Sequence, residues 1–122
     1  MPAPYRYITV QRQQDVFCVH LREKELLESQ VNELGRELAN LVTEDGCRKM
    51  VLSLGPEAPY LLYSVFLARL VTVRRLLLDG GGSTLKLSEV TPLVKNVFVT
   101  CQLAPLFEFY ADLATAVASF AT

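Results

Sequence analysis

Met50-Val51-Leu52-Ser53-Leu54, then Gly55-Pro56-Glu57-Ala58-Pro59, then Tyr60-Leu61-Leu62-Tyr63-Ser64 and the apolar run on to Asp79 decide the fold of this chain. The first five residues read as an apolar strand, and the next five, with a glycine and two prolines, break it. A long apolar helix is expected from about residue 60 to 78. In an open α/β sheet, the mouth between a strand's carboxyl end and the next helix is where ligands and partners are met. Here that mouth is aromatic and greasy. It places one hydroxyl, Ser64, at a helix start, and it holds no catalytic acid, base or metal ligand.

Upstream, Tyr5-Arg6-Tyr7-Ile8-Thr9-Val10 alternates and is rich in β-branched and aromatic residues, so it reads as a first strand. Residues 11–15 read as a polar turn, and Val16-Phe17-Cys18-Val19-His20-Leu21 as a second strand that closes a hairpin. A charged connector leads to an amphipathic helix from about residue 27 to 43, with Val31, Leu34, Leu38 and Leu41/Val42 on one face and Asp45-Gly46 at its end. Downstream, Asp79-Gly80-Gly81-Gly82 closes the central helix, and Thr84-Leu85-Lys86-Leu87 is a short strand. Thr91-Pro92 is a helix start, a capping hydroxyl followed by proline at the first helical position. That helix is expected to bury Val94, Val97, Phe98 and Cys101. Residues 106–110 read as a last strand and 112–120 as a last helix, with Leu113, Ala116, Val117 and Phe120 inward. The predicted class is α/β, one domain over residues 1–122: a mixed central sheet of about five strands with about four helices, in the order β-β-α-β-α-β-α-β-α.

Composition narrows the function. Twelve basic residues stand against thirteen acidic ones, for a net charge of −1, and the basic residues are scattered. That distribution argues against nucleic acid as a partner, since such a footprint needs clustered Lys and Arg. Arg69, Arg74 and Arg75 within the longest helix argue against a membrane span. Met1-Pro2-Ala3-Pro4 runs straight into a strand without a secretory pattern, and the three cysteines, Cys18, Cys47 and Cys101, share no metal-binding or disulfide spacing. The expectation is a cytoplasmic protein with buried, reduced thiols.

Chemistry for an enzyme is hard to assemble from these residues. His20 is the only histidine, and no triad or metal partner stands beside it. The glycine triplet follows a helix and precedes a strand, the reverse of a phosphate-binding loop, so it serves a helix end. Glu23, Glu25 and Glu28 precede the first helix, where acids favour its positive end, and Glu108 alternates away from Phe107 and Phe109. The reading is a non-enzyme with no metal and no cofactor. Ser64 differs in kind. One reading is a serine that helps to begin the helix; the other is a phosphoacceptor beside free backbone N–H groups.

Several stretches carry a family resemblance. Val71-Thr72-Val73-Arg74-Arg75-Leu76, Gly80-Gly81 and Leu85-Lys86-Leu87 resemble the central helix, glycine turn and following strand of STAS domains, the bacterial anti-sigma factor antagonists and their relatives. Thr91-Pro92-Leu93-Val94-Lys95-Asn96-Val97-Phe98 is similar to the family's S/T-P-x-V-x-x-x-F helix, and Leu103-Ala104-Pro105-Leu106-Phe107-Glu108-Phe109-Tyr110 to its L-x-x-L-F-x-x-Y strand. Ala116-Val117-Ala118-Ser119-Phe120 resembles the family's closing helix, and the segment from Val31 through Gly35 to Leu38 resembles a first helix with an E-L-G signature.

The resemblance implies a regulatory protein–protein module that binds an anti-sigma factor, itself a serine kinase, and so controls sigma-factor-dependent transcription. It places Ser64 at the serine of the family's D-S-x-G-x-x motif, with Tyr63 where the acid stands and Val65 and Phe66 where small residues follow. The partner-binding residues it implies are Tyr60, Leu61, Leu62, Tyr63, Ser64, Val65 and Phe66, of which some should form an exposed apolar patch. Two alternatives stand beside it: a scaffold or homodimerisation domain of STAS type without a phospho-switch, and a sensor of a small ligand.

Overall fold

The computed structural model describes residues 5–56 and 58–121. Residues 1–4, on which the expectation of no secretory leader rests, lie outside the described residues, as do Glu57 and Thr122. The elements run β1 (Ile8–Gln13), β2 (Val16–Leu21), α1 (Glu28–Thr43), β3 (Met50–Ser53), α2 (Ser64–Asp79), β4 (Lys86–Ser88), α3 (Pro92–Thr100), β5 (Glu108–Phe109) and α4 (Leu113–Ala118). Short 3₁₀ turns occupy Pro59–Leu62, Ala104–Leu106 and Ser119–Ala121. The order matches the sequence expectation. All five strands form one sheet in chain order, with β1 antiparallel to β2 and every later pair parallel. Parallel neighbours need crossovers, and α1, α2 and α3 supply them.

Register sorts the strands into two faces. Val10, Val19, Leu52 and Leu87 form one row across β1 to β4, and this face packs against Leu34, Leu38, Leu70, Val73 and Phe98 of the three crossover helices. The opposite face carries Val16, Cys18 and Val51, covered by Ala116 of α4. β3 is buried on both faces, which is why its sequence is a continuous apolar run rather than an alternating one.

Boundaries of β1, β5 and α3 depart from expectation. β1 continues through Gln11-Arg12-Gln13 instead of turning there, and the hairpin closes at Gln14-Asp15, with Gln14 at φ 59°. β1 is an edge strand whose Thr9, Gln11 and Gln13 side is exposed, so polar residues are tolerated and mask the strand. β5 shrinks to Glu108–Phe109 because Ala104–Leu106 is a 3₁₀ turn. Cys101, expected inside, is exposed: α3 ends at Thr100, and Gln102 at φ 61° swings the chain away from the buried face. Cys18 and Cys47 are buried, and burial pushes the Cys47 thiol up to about 12.

Helix ends follow local chemistry. The Thr91 hydroxyl accepts the Val94 N–H at 3.3 Å, with Pro92 at the first helical position. α2 closes with Gly81 at φ 86°; the Gly81 N–H donates to the Leu78 carbonyl and the Gly82 N–H to the Leu77 carbonyl, the paired bonds of a Schellman motif. Gly82 is required for another reason: a Cβ there would lie 2.2 Å from the Arg48 carbonyl oxygen.

Candidate functional site

The start of α2 is built by a break in the chain. The sequence predicts one helix from about residue 60, but the structure divides it into a 3₁₀ turn at Pro59–Leu62 and α2 from Ser64. Tyr63 joins them in an extended conformation, φ −74° and ψ 138°. Proline at the first position of the turn presets its backbone.

This break sorts the seven sequence-predicted residues. Tyr60, Leu61 and Phe66 are core, 1%, 0% and 0% exposed. Leu62 and Tyr63 remain exposed at 41% and 36%, Ser64 is exposed, and Val65 is half-buried. The surface is therefore Leu62, Tyr63, Ser64 and the edge of Val65, with the other three beneath it. Tyr60 and Phe66 meet edge to face, ring centroids 5.8 Å apart at 81°, a geometry that adds to simple burial. The Tyr60 hydroxyl donates to the Glu23 backbone carbonyl at 2.8 Å. Burial, with a smaller contribution from the Glu23 charge, pushes this phenol up to about 12. Core anchoring thus fixes the chain on either side of the exposed residues.

Ser64 is the first helical residue of α2. Its N-cap, Tyr63, makes no side-chain cap hydrogen bond, and no acid stands in the first turn. One turn on, Ser64, Leu67, Ala68 and Val71 line an open groove of about 410 Å³ with Cys101 and Leu103 across from them. The spacing of the four α2 residues is one helical stripe. The groove wall from Cys101 and Leu103 was not legible in sequence, because it depends on where α3 stops. Behind the site, Arg69 crosses to α1 and donates through Nε and Nη2 to the Asn32 side-chain carbonyl at 2.9 and 2.6 Å. A Cβ on Gly35 would meet the Arg69 stem at 2.6 Å, so the glycine lets that stem lie against α1. Arg74 Nε donates to the Leu106 carbonyl at 2.7 Å, tying α2 to the turn before β5.

Titratable chemistry is not gathered here. His20 sits half-buried on the far side of the sheet, in register with Thr9 and Ser53. Among the described residues, no group of three His, Cys, Asp or Glu side chains is placed to hold a metal ion, and no helix is long and apolar enough to cross a membrane.

No protein-family model matches the sequence, and no curated protein matches it. Solved structures do match. An anti-sigma-factor antagonist (STAS) domain protein from Planctomyces limnophilus superposes with a TM-score of 0.81, over 94% of this chain and 98% of that one, at 17% identity. A candidate anti-sigma factor antagonist from Thermotoga maritima superposes at 0.76, over 94% and 95%, at 18% identity. The Bacillus cell-fate determinant SpoIIAA, solved in its phosphorylated form, superposes at 0.62, over 93% and 98%, at 14% identity. The chain therefore has the fold of a STAS domain. Two of these three neighbours are described as anti-sigma-factor antagonists, one of them as a candidate.

Proposed function

We propose that this protein is a regulatory interaction module of the anti-sigma-factor-antagonist kind, docking an anti-sigma factor through the start of α2. The observation that supports this most is the division of the residue 60–66 segment: three buried anchors hold Leu62, Tyr63 and Ser64 outward beside an apolar groove. An exposed apolar patch on a rigid base is the form of a protein interface. With Tyr63 in place of an acid, docking rests on apolar burial rather than on charge. Ser64 is the switch. A phosphate there adds about two negative charges to a greasy surface, beside the free N–H groups of a first helical turn. That one fold neighbour, SpoIIAA, was solved phosphorylated supports the same reading.

The test uses the purified chain with each anti-sigma serine kinase of the source organism and ATP. One phosphate at Ser64, absent in Ser64→Ala, together with binding that Tyr63→Asp weakens at least tenfold, is the expected result. Binding without phosphorylation would remove the switch and keep the docking role. Loss of neither binding nor phosphorylation in both variants would overturn the assignment of the surface.

A further inference from the structure

The sheet's outer face carries a feature unrelated to the α2 surface. Its apolar core is small: Val16, Cys18, Val51 and Ala116 are its buried hydrophobic residues, with Tyr110, Leu113, Val117 and Phe120 only partly buried around them. The cover that makes this core is a six-residue helix, α4, followed by one 3₁₀ turn. A helix that short does not hold itself together in water. Polar contacts at both ends add to this apolar packing. Lys86 of β4, 6% exposed, donates to the Ser119 hydroxyl at 2.6 Å, pairs with Glu108 at 3.4 Å, and lies 3.9 Å from the centre of the Phe120 ring. At the other end, the Glu89 carboxylate accepts the Leu113 N–H at 2.9 Å.

We infer that residues 113–121 form a detachable cover, fastened by Lys86, which lifts from the sheet while the main core stays folded. Regions with few buried apolar contacts open at lower free energy than the global transition. Lifting the cover breaks the Lys86–Ser119 hydrogen bond and the contact with the Phe120 ring, and the hydration that the ammonium regains offsets only part of that loss. Opening uncovers Val16, Cys18 and Val51 and leaves the α1, α2 and α3 side of the sheet untouched.

Three thiols report on three regions. Cys101 is exposed, Cys18 lies under the cover, and Cys47 lies in the main core. Labelling of the native protein with excess N-ethylmaleimide, followed by peptide mass spectrometry, should modify Cys101 at once and Cys18 at least tenfold faster than Cys47. Phe120→Ala and Lys86→Ala should each accelerate Cys18 several-fold further and leave Cys47 unchanged. A variant that fails to fold would expose Cys47 as well. In that event, amide exchange of the wild-type chain decides: protection of residues 113–121 should be at least tenfold below that of β3. Equal rates for Cys18 and Cys47, or equal protection of the two segments, would overturn the cover.

Discussion

Tyr60 shows how one residue can hold a site it does not line. Its ring packs on Phe66 and its hydroxyl reaches the Glu23 carbonyl, so the chain entering α2 is pinned to the connector before α1. Tyr60→Phe removes one buried hydrogen bond and is expected to cost about 1 kcal/mol at neutral pH. The phenol also links stability to pH. Its pKa in the fold is raised to about 12 from an ordinary 10, so the folded state keeps a proton that the unfolded chain gives up. The contribution is complete below pH 10 and disappears as pH rises toward 12, a loss of about 2 kcal/mol. Urea unfolding of wild type and Tyr60→Phe from pH 8 to 12 should show the gap between them closing and then reversing. In sequence, Tyr60 and Tyr63 are equivalent aromatic residues in one apolar run. Only the extended backbone at Tyr63 separates the buried tyrosine from the exposed one.

At the scale of elements, the helix ends marked by a capping hydroxyl or by glycine are legible, because such caps depend on a few neighbouring residues. Thr91-Pro92 and Gly80-Gly81-Gly82 act as their chemistry requires. Gly82→Ala should drive a Cβ into the Arg48 carbonyl and destabilise the fold by about 2–3 kcal/mol, read as a lower urea midpoint with the slope unchanged. α3 ends in the same motif without a glycine. Gln102, at φ 61°, donates its N–H to the Val99 carbonyl, and the Leu103 N–H donates to Phe98. Gln102→Gly should therefore stabilise the protein, by up to about 1 kcal/mol, since glycine occupies that conformation without steric cost. Because nothing in the composition of residues 100–103 marks this stop, Cys101 looked like one more turn of the buried face. The end of β1 is obscured for the complementary reason: Gln11, Arg12 and Gln13 are all exposed, so the alternation that identifies the strand stops before the strand does.

For the whole molecule, the sheet separates a large core under α1, α2 and α3 from a small one under α4. Substitutions at the proposed docking surface should therefore leave the fold intact. Leu62→Asp and Tyr63→Asp are expected to change unfolding free energy by no more than about 0.5 kcal/mol. Phe66→Asp, three or four residues away, would bury an unpaired carboxylate and abolish the fold. Circular dichroism melts of the three variants separate these outcomes.

The sequence alone determined the α/β class, the order of nine elements, the apolar central strand, and the helix ends at Gly80-Gly81-Gly82 and Thr91-Pro92. Each rests on periodicity or on chemistry within a few residues, and both survive without knowledge of distant neighbours. It also singled out the segment from Tyr60 to Phe66 and the hydroxyl within it. The tertiary structure decided which of those side chains are anchors and which are surface, and it brought Cys101 and Leu103 across from Ser64. It alone placed Lys86 beneath α4. The reason is physical: burial and groove walls depend on contacts between elements far apart in the chain, and a run of uniformly apolar residues has no periodicity to say which way each one faces.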